Sequence, residues 1–324
     1  MISRRTFIVG GSMAAAFALF RSRRLLAASA NLPIGLQLYS VRQALAQDYP
    51  GTLQQVANIG YREVEAAGFY GHSASEVKQL MANAGLNCVS AHYSLADLLK
   101  AEDATIDYAK TLGLQYIICS APSVPDPSRF AHTPGGAWQG MQHGLPLDDW
   151  KWNTDQFNRL GKKLKATGLQ FGYHNHTMEF RDLGDGMTGF EALLKYTDPA
   201  YVTLELDCGW VIAAGQDPVE ILTKHPTRFS MLHIKDLKPL QANQEPGQRI
   251  STELGHGVVD YKPIFAAARS ANIRHAFIEQ EDFDKPVFDA LKIDFESMQA
   301  MESGGTAVGA NSQVEKKLPD QSRN

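Results

Sequence analysis

Eight short apolar stretches that alternate with helical patterns constrain the fold of this chain more than any other feature. Each stretch is rich in Val, Ile, Leu, Phe and Tyr and is followed by an amphipathic segment. Apolar runs of this length between helices are typical of parallel strands that are covered on both faces. Eight such units favour a closed (β/α)8 barrel over an open sheet, which would need a glycine-rich phosphate loop after its first strand. The predicted strands are residues 34–41, 61–66, 87–93, 116–121, 170–176, 202–208, 229–235 and 275–280.

Local signals define the helices between these strands. Ser73 and Glu76 are spaced as a capping box at the start of a helix. Glycines follow four helical patterns immediately before the next strand, as expected at the C-terminal ends of helices. These glycines are Gly60, Gly85, Gly113 and Gly168. The boundaries indicate that strands and helices alternate along one large domain.

The first 30 residues have the pattern of an export signal. Arg4 and Arg5 precede an apolar run from Ile8 to Phe20, which indicates a twin-arginine signal and is too short to span a bilayer permanently. The small residues that follow predict cleavage after Ala30, and a signal anchor that stays attached is the alternative. We therefore expect the twin-arginine export machinery as a partner and a periplasmic or otherwise exported location.

Charge and cysteine usage narrow the classes of function. Removal of residues 1–30 takes away five arginines and no acidic residue, so the formal net charge falls from −4 to −9. A protein that binds duplex nucleic acid needs a cationic face, so the acidic composition argues against this partner. The three cysteines, Cys88, Cys119 and Cys208, lie far apart in apolar runs. Their odd number and wide spacing predict buried thiols rather than a disulfide framework or a zinc site.

Two connections are long, and both follow strands, where barrels carry their functional loops. The first runs from Pro122 to about Asp149 and combines prolines, two consecutive glycines and Trp138, a mixture that predicts an ordered lid. The second runs from Leu237 to Asp260 and is polar. Beyond residue 302 the chain loses its periodicity. We predict a catalytic barrel over residues 31–302 and a disordered tail over residues 303–324.

Ionisable residues are concentrated at the carboxyl ends of the last four predicted strands. In a barrel these positions face the mouth, which is where active sites form. Glu179, Asp207, His233 and Glu279 follow strands five to eight in order. Asp207 has the parity of Thr203 within its strand, opposite to the apolar leucines, so its side chain should face the mouth. Three carboxylates and one imidazole would suit a divalent cation, with substrate or solvent in the remaining positions.

Further polar and aromatic residues at strand ends are candidates for contact with a substrate. A lone histidine or tryptophan at such a position is as often a structural residue, so these are weaker predictions than the metal site. Lys235 could stabilise an oxyanion or simply pair with Asp236 or Asp207. The candidates are Gln37, Tyr39, His92, His174, His176, Trp210 and Lys235.

The chain resembles the xylose-isomerase-like TIM barrels described as sugar phosphate isomerases or epimerases, a group with tagatose epimerase, hydroxypyruvate isomerase and inosose dehydratase-type members. The resemblance covers almost the whole mature chain. It is most specific at Gly172–Phe180, Leu204–Trp210, Leu232–Asp236 and Gly255–Tyr261. It implies the same four metal ligands that the strand ends indicate. Many relatives have a glutamate where this chain has His256, so no substrate contact is carried over to that position.

The reaction that the resemblance implies is the isomerisation or epimerisation of a sugar. A proton next to a carbonyl is transferred through an enediolate that the metal stabilises. Glu179 and Glu279, on opposite sides of the metal in the family, would form the proton-transfer pair. We expect Mn²⁺ first, with Mg²⁺, Co²⁺ or Zn²⁺ as alternatives and no organic cofactor. An exported location favours a free or glycosidic sugar, such as a 3-keto sugar, over a sugar phosphate.

Three alternatives stay open. A metal-dependent lyase or dehydratase acting on a keto-sugar or glycoside would use the same four-ligand site. An abasic-site endonuclease shares the fold superfamily, although the acidic charge argues against it. A non-catalytic sugar-binding barrel would have no need for two carboxylates beside a metal. A homo-oligomer is compatible with each of these functions.

Overall fold

The computed structural model describes residues 32–184 and 186–309, and it confirms the predicted barrel. The eight strands are parallel, and the first strand pairs with both the second and the eighth, which closes the sheet. The predicted signal over residues 1–30 lies outside the described residues. The strands are β1 (Ile34–Gln37), β2 (Glu63–Ala66), β3 (Asn87–Ser94), β4 (Tyr116–Ala121), β5 (Gln170–His174), β6 (Val202–Asp207), β7 (Phe229–Ile234) and β8 (His275–Ile278).

Helices separate the strands and surround the barrel. The predicted capping box of Ser73 and Glu76 is present, and Gly85 and Gly113 end their helices with positive φ, as predicted. Among the described residues, no helix is long and apolar enough to cross a membrane. The helices are α1 (Arg42–Gln47), α2 (Tyr49–Ile59), α3 (Ala74–Ala84), α4 (Leu95–Lys100), α5 (Glu102–Leu112), α6 (Gly136–Gln142), α7 (Leu147–Ala166), α8 (Gly189–Tyr196), α9 (Cys208–Ala213), α10 (Pro218–Lys224), α11 (Tyr261–Ser270) and α12 (Val287–Glu302).

Several strands end earlier than their apolar runs predict. The prediction that β1 extends to Val41 is wrong, because Leu38–Val41 forms a 3-10 turn. The side chain of Gln37 accepts a hydrogen bond from the backbone N–H of Tyr39, at 3.0 Å, and so caps that turn. Strands β5 and β8 also end before their apolar runs do, at His174 and Ile278. The polar residues that follow these strands therefore lie in irregular backbone at the mouth.

The core has two parts. A large cluster of apolar side chains fills the space between the strands and the helices and includes the buried thiols of Cys88, Cys119 and Cys208, which are free as predicted. A smaller cluster includes Met231 and Phe277. Met231 is two residues before His233 in β7, so both side chains point into the barrel. The smaller cluster therefore forms an apolar floor beneath the polar residues of the mouth.

The two long connections are ordered, as predicted for the first of them. The first contains a 3-10 turn at Pro127–Phe130 and helix α6. The second contains a two-stranded antiparallel sheet of Asp236–Leu237 and Ser251–Thr252. Helix α12 ends at Glu302, and the backbone of Val308 contacts Ser297 and His256. The rest of the predicted tail, residues 310–324, lies outside the described residues.

The Asp236 carboxylate organises the turn that joins this small sheet to α11. It accepts hydrogen bonds from the backbone N–H groups of Gly255, Gly257 and Val259 at 2.8 to 3.0 Å. A Cβ atom at Gly257 would lie 2.2 Å from an Asp236 oxygen, so the close approach of backbone to carboxylate requires glycine. The Gly-x-Gly sequence therefore has a structural role here.

Candidate metal centre

Four buried side chains from four consecutive strands meet at the barrel mouth. His174 ends β5, Asp207 ends β6, His233 lies in β7, and Glu279 directly follows β8. Each offers one ligand atom, and these atoms all lie within 4.8 Å of one another. The structure thus brings together three of the four predicted ligands, and His174 is the fourth member of this group. We call these four residues the metal centre.

Local structure aims one oxygen of Asp207 into the centre. Asp207 is the N-cap of α9, and its Oδ1 accepts a hydrogen bond of 2.8 Å from the backbone N–H of Trp210. The side chain of Asn175 fixes the Asp207 backbone, because its Oδ1 accepts the Asp207 N–H at 3.0 Å. The other carboxylate oxygen, Oδ2, is buried without a hydrogen bond. Its nearest cation is the Lys235 ammonium, at 3.3 Å.

His233 has carboxylates on both sides of its ring. Its Nδ1 lies 3.0 Å from Glu279 Oε2 and 3.8 Å from Asp207 Oδ2. Its Nε2 lies 2.8 Å from Oε1 of Glu65, on the floor side. Burial disfavours the imidazolium, but the surrounding carboxylates outweigh it and raise the pKa of His233 well above its usual range.

The donor set fits a divalent cation. Two imidazoles and two carboxylates supply nitrogen and oxygen ligands, which suit zinc, manganese or cobalt. A buried carboxylate oxygen without a hydrogen bond costs free energy unless a charge compensates it. Asp207 Oδ2 is such an atom, and the Lys235 ammonium 3.3 Å away is its nearest compensating charge. A cation would also neutralise the carboxylates of Asp207 and Glu279, which both lie near Nδ1 of His233. The centre can therefore bind a metal ion.

Glu179 lies beside the metal centre and is fully buried. It sits in a 3-10 turn, Met178–Phe180, that follows β5. Its Oε1 accepts a hydrogen bond from the Tyr173 hydroxyl at 2.6 Å, and its Oε2 accepts the backbone N–H of His176 at 2.9 Å. Burial raises the pKa of Glu179 to about 7, although these hydrogen bonds oppose the shift. Both oxygens are thus engaged within the protein, and the ligand and proton-transfer roles of Glu179 stay predictions.

Two carboxylates beneath the centre were not among the predicted site residues. Glu65 of β2 and Glu205 of β6 are buried, and the imidazole of His92 joins them, with its Nε2 2.8 Å from an oxygen of each. Burial opposes the charge on His92, but both carboxylates raise its pKa to about 9. Charged residues within parallel strands that are otherwise apolar are the sequence signal that could have found them.

Lys235 connects the metal centre to a cavity. Its buried ammonium lies 2.6 Å from Glu281, 3.0 Å from Glu279 and 4.3 Å from the centre of the Trp210 ring. Lys235 and Trp210 also line a cavity of about 260 Å³. The other residues around this cavity include Arg42, Arg249, Ser251 and Glu281. The ammonium is therefore placed between the candidate ligands and a polar space for a small molecule.

The remaining candidates for substrate contact fall into two groups. His176 lies under Trp138 of the first long connection, with ring centroids 5.0 Å apart, and burial lowers its pKa to about 3. Tyr39 is partly exposed beneath the Arg42 guanidinium. Gln37, in contrast, is fully buried and donates to Glu65 at 2.8 Å. His176, Trp138 and Tyr39 are thus near the surface of the mouth, whereas Gln37 belongs to the network beneath it.

Comparisons with known proteins agree with this architecture. An inosose dehydratase from Geobacillus thermodenitrificans is 25% identical over 276 residues, which span 76% of this chain and 86% of the relative. The structure of a sugar phosphate isomerase/epimerase from Parabacteroides distasonis is similar with a TM-score of 0.65 and 26% identity, over 86% of this chain and 96% of that one.

A xylose isomerase-like TIM barrel protein from Mycobacterium smegmatis, solved in complex with magnesium, shares the fold with a TM-score of 0.61 at 16% identity, over 84% of this chain and 97% of that one. The family model described as xylose isomerase-like TIM barrel matches residues 53–303, which include β2 to β8 and the whole metal centre. This chain therefore belongs to the xylose isomerase-like TIM barrel family.

Proposed function

We propose that this protein is a divalent-metal-dependent enzyme that removes a proton from the carbon next to the carbonyl of a keto-sugar or keto-polyol. The metal centre is the observation that supports this most directly, because four buried ligand groups converge and one carboxylate oxygen lacks a hydrogen bond. A divalent cation there supplies positive charge beside the carbonyl oxygen, which stabilises the negative charge that develops when the proton leaves. We expect Mn²⁺ first, and Mg²⁺, Co²⁺ or Zn²⁺ as substitutes.

Side chains of the chain itself would move the proton and balance the charge. Glu279 is a buried member of the metal centre, and Glu179 is held in one orientation by Tyr173 and the His176 backbone. These two carboxylates are our candidates for proton transfer. The Lys235 ammonium, which borders the cavity, would stabilise an oxyanion on the substrate.

The cavity supports a small hydroxyl-rich substrate. Its volume of about 260 Å³ suits a single sugar or cyclitol ring, and its lining combines arginine, lysine, serine and acidic side chains with Trp210. Such a lining offers hydrogen bonds in several directions and one aromatic surface, which is how proteins commonly bind polyols. A small polyhydroxylated ketone is therefore the proposed substrate class.

Removal of the proton has two chemically distinct outcomes. Return of the proton to the other face or to the neighbouring carbon gives epimerisation or isomerisation. Loss of hydroxide from the carbon beyond gives dehydration, in which the proton and the hydroxide leave as water. The second outcome is supported by the curated relative, which is an inosose dehydratase. Both outcomes begin with the same proton transfer.

Proton exchange in deuterated water tests this proposal. The protein is stripped with a chelator, reloaded with Mg²⁺ or Zn²⁺, and incubated with ketoses, a 3-keto glycoside and inosose while NMR spectra are recorded. We expect metal-dependent replacement of one carbon-bound hydrogen by deuterium, with an epimer, an isomer or a dehydrated ketone as the product. Binding without exchange for every ligand would instead support a sugar-binding barrel.

A further inference from the structure

Two carboxylates beneath the metal centre take no part in the reaction proposed above. Glu65 and Glu205 are 0% and 1% exposed. Each lies against an imidazole of the centre: Glu65 Oε1 is 2.8 Å from His233 Nε2, and Glu205 Oε2 is 3.0 Å from His174 Nδ1. Burying two carboxylates is costly unless they are paired and hydrogen-bonded, so their contacts with the imidazoles need an explanation.

A histidine that binds a cation must be in one tautomer. One ring nitrogen carries the proton, and the other offers its lone pair to the ion. For His233, Nε2 faces Glu65 while Nδ1 faces Glu279 and Asp207 at 3.0 and 3.8 Å. For His174, the contact with Glu205 at 3.0 Å uses Nδ1, so Nε2 is the nitrogen left for a cation. Glu65 and Glu205 thus each engage one ring nitrogen, and the other nitrogen of each ring is the one that a cation could bind.

We infer that Glu65 and Glu205 are positioning residues that hold His233 and His174 in opposite tautomers, so that a cation binds Nδ1 of His233 and Nε2 of His174. This inference rests on the metal-dependent function proposed above and specifies how the ligands are prepared for it. A carboxylate behind a ligating histidine fixes the ring and increases its basicity, which strengthens metal binding.

Further polar contacts hold Glu65 and one oxygen of Glu205, whereas Glu205 Oε1 has no hydrogen bond. Glu65 accepts hydrogen bonds from Gln37 at 2.8 Å and from the Ser90 hydroxyl at 2.5 Å. His92 lies 2.8 Å from both Glu65 and Glu205 and so links them. Strands β1, β2, β3 and β6 therefore contribute to the placement of ligands that stand on β5 and β7.

The same atoms allow a competing arrangement. His92, His174, Glu205 and His233 are also close enough together to hold an ion of their own. Their separations of 2.8 to 3.2 Å are typical of N–H···O hydrogen bonds, which the positioning role requires. The positioning role predicts one bound ion per chain, whereas an additional ion held by these four residues would give two.

Nitrogen NMR of the histidine rings tests the inference directly. The full chain is labelled with ¹⁵N, stripped of metal and titrated with Zn²⁺, which is diamagnetic. We expect one Zn²⁺ per chain, a protonated Nε2 on His233 and a protonated Nδ1 on His174, with metal-induced shifts at the other nitrogen of each ring. The opposite tautomer at either histidine overturns the inference, as does a second Zn²⁺ that is lost in Glu205→Gln, because Glu205 belongs to the competing group.

Two substitutions at Glu65 distinguish the effect of its hydrogen bond to His233 on Zn²⁺ affinity from the effect of its negative charge. Glu65→Leu removes the acceptor, and we expect a loss of Zn²⁺ affinity on the order of 10- to 100-fold. Glu65→Gln keeps an acceptor oxygen, so the His233 tautomer should persist and the loss of affinity should be smaller. If Glu65→Leu does not fold, the Zn²⁺ affinity of Glu65→Gln and the histidine tautomers of the unsubstituted protein still test the inference.

The chain provides a matched control at the opposite end of the same strands. Glu63 Oε2 lies 2.7 Å from His275 Nδ1, a carboxylate and imidazole pair at the first residues of β2 and β8. Glu63→Leu should leave Zn²⁺ affinity unchanged, and equal losses in Glu63→Leu and Glu65→Leu would overturn the inference. If the two histidines show the expected tautomers and the protein binds Zn²⁺, but no ketone exchanges a proton, the proposed function is refuted and the inference about Glu65 and Glu205 stands.

Discussion

Asp207 uses its two carboxylate oxygens for different tasks. Oδ1 caps helix α9 through Trp210, and Oδ2 is directed at the metal centre. Because Asp207 begins a helix, the fold sets the position of its carboxylate independently of any ion. Asp207 is thus the member of the centre whose two roles can be separated by substitution.

The change Asp207→Asn tests this separation. Asparagine is as good an N-cap as aspartate, so we expect α9 to form and the fold to persist. The ligand oxygen loses its negative charge, so we expect loss of the bound divalent ion and of proton exchange, measured by metal analysis and NMR. Asp217→Asn is the matched control, because Asp217 caps α10 in the same way. Retention of full metal content in Asp207→Asn would contradict the assignment.

Lys235 neutralises carboxylates that a cation could also neutralise. Because its ammonium is buried against Asp207 and Glu279, Lys235→Met should destabilise the metal-free protein by about 3–5 kcal/mol. Added Zn²⁺ should recover more stability in Lys235→Met than in the unsubstituted protein, as measured by urea unfolding with and without the ion. Lys238→Met, which removes an exposed pair with Asp284, should cost about 1 kcal/mol or less. Equal stability changes in the two variants would contradict this view of Lys235.

At the level of elements, the alternation of side chains along a strand predicted which residues face the barrel mouth better than the length of the apolar run predicted where the strand ends. Asp207 and His233 were recognised because their parity and their position after apolar residues place them at the mouth. Glu179 is predicted as a ligand from its position after the fifth strand and from the family resemblance, and this stays a prediction. In the structure β5 ends at His174, and irregular backbone and a turn separate the two residues. Which side chain of such an irregular segment enters the centre depends on backbone geometry that periodicity does not contain.

The network beneath the centre was harder to predict for a different reason. Glu65 lies within β2 rather than after it, and its partners Gln37, Ser90 and His233 come from three other strands. Registers between neighbouring strands decide these contacts, and the sequence contains no direct signal of register in a parallel barrel. The eight-stranded fold followed from local patterns, whereas this network depends on their three-dimensional alignment.

Asp294 connects helix α12 to the loop before α11 and should make stability depend on pH. Its buried Oδ1 accepts the Leu254 N–H at 2.8 Å, and its Oδ2 has no hydrogen bond. Burial raises the pKa of Asp294 well above its usual range, although the Leu254 hydrogen bond opposes the shift. The folded state therefore holds this proton more tightly than the unfolded state, in which an aspartate has a pKa of about 3.9.

Protonated Asp294 contributes to the free energy of unfolding. This contribution is complete below the pKa that Asp294 has in the unfolded state, and it is lost as the pH rises through the pKa that Asp294 has in the folded state. Asp294→Asn mimics the protonated form. We expect the free energy of unfolding of Asp294→Asn, relative to the unsubstituted protein, to rise as the pH increases above about 4. Urea unfolding between pH 4 and 8 measures this, with Asp289→Asn, an exposed position on the same helix, as the control. A difference that is constant with pH would contradict the prediction.

For the whole molecule, we propose that the barrel is exported through its twin-arginine signal. Changing Arg4 and Arg5 to lysine together should retain the protein in the cytoplasm with its N-terminal segment uncleaved, because the arginine pair is the feature that the export machinery reads. Cell fractionation and the mass of the purified protein measure this. Arg23 and Arg24, changed to lysine after the apolar run, serve as the control. Normal export without Arg4 and Arg5 would contradict the proposal.

The contact between Glu65 and His233 spans 168 positions of the chain. Contacts between such distant segments form late in folding, because the intervening chain must first lose its conformational freedom. A partly synthesised chain that lacks β7 lacks His233, so under the metal-dependent function proposed above metal uptake would follow closure of the barrel. On that proposal, the rate at which a refolding sample binds an added ion would measure the rate at which the barrel closes, and the ion bound would be one present in the compartment where the chain folds.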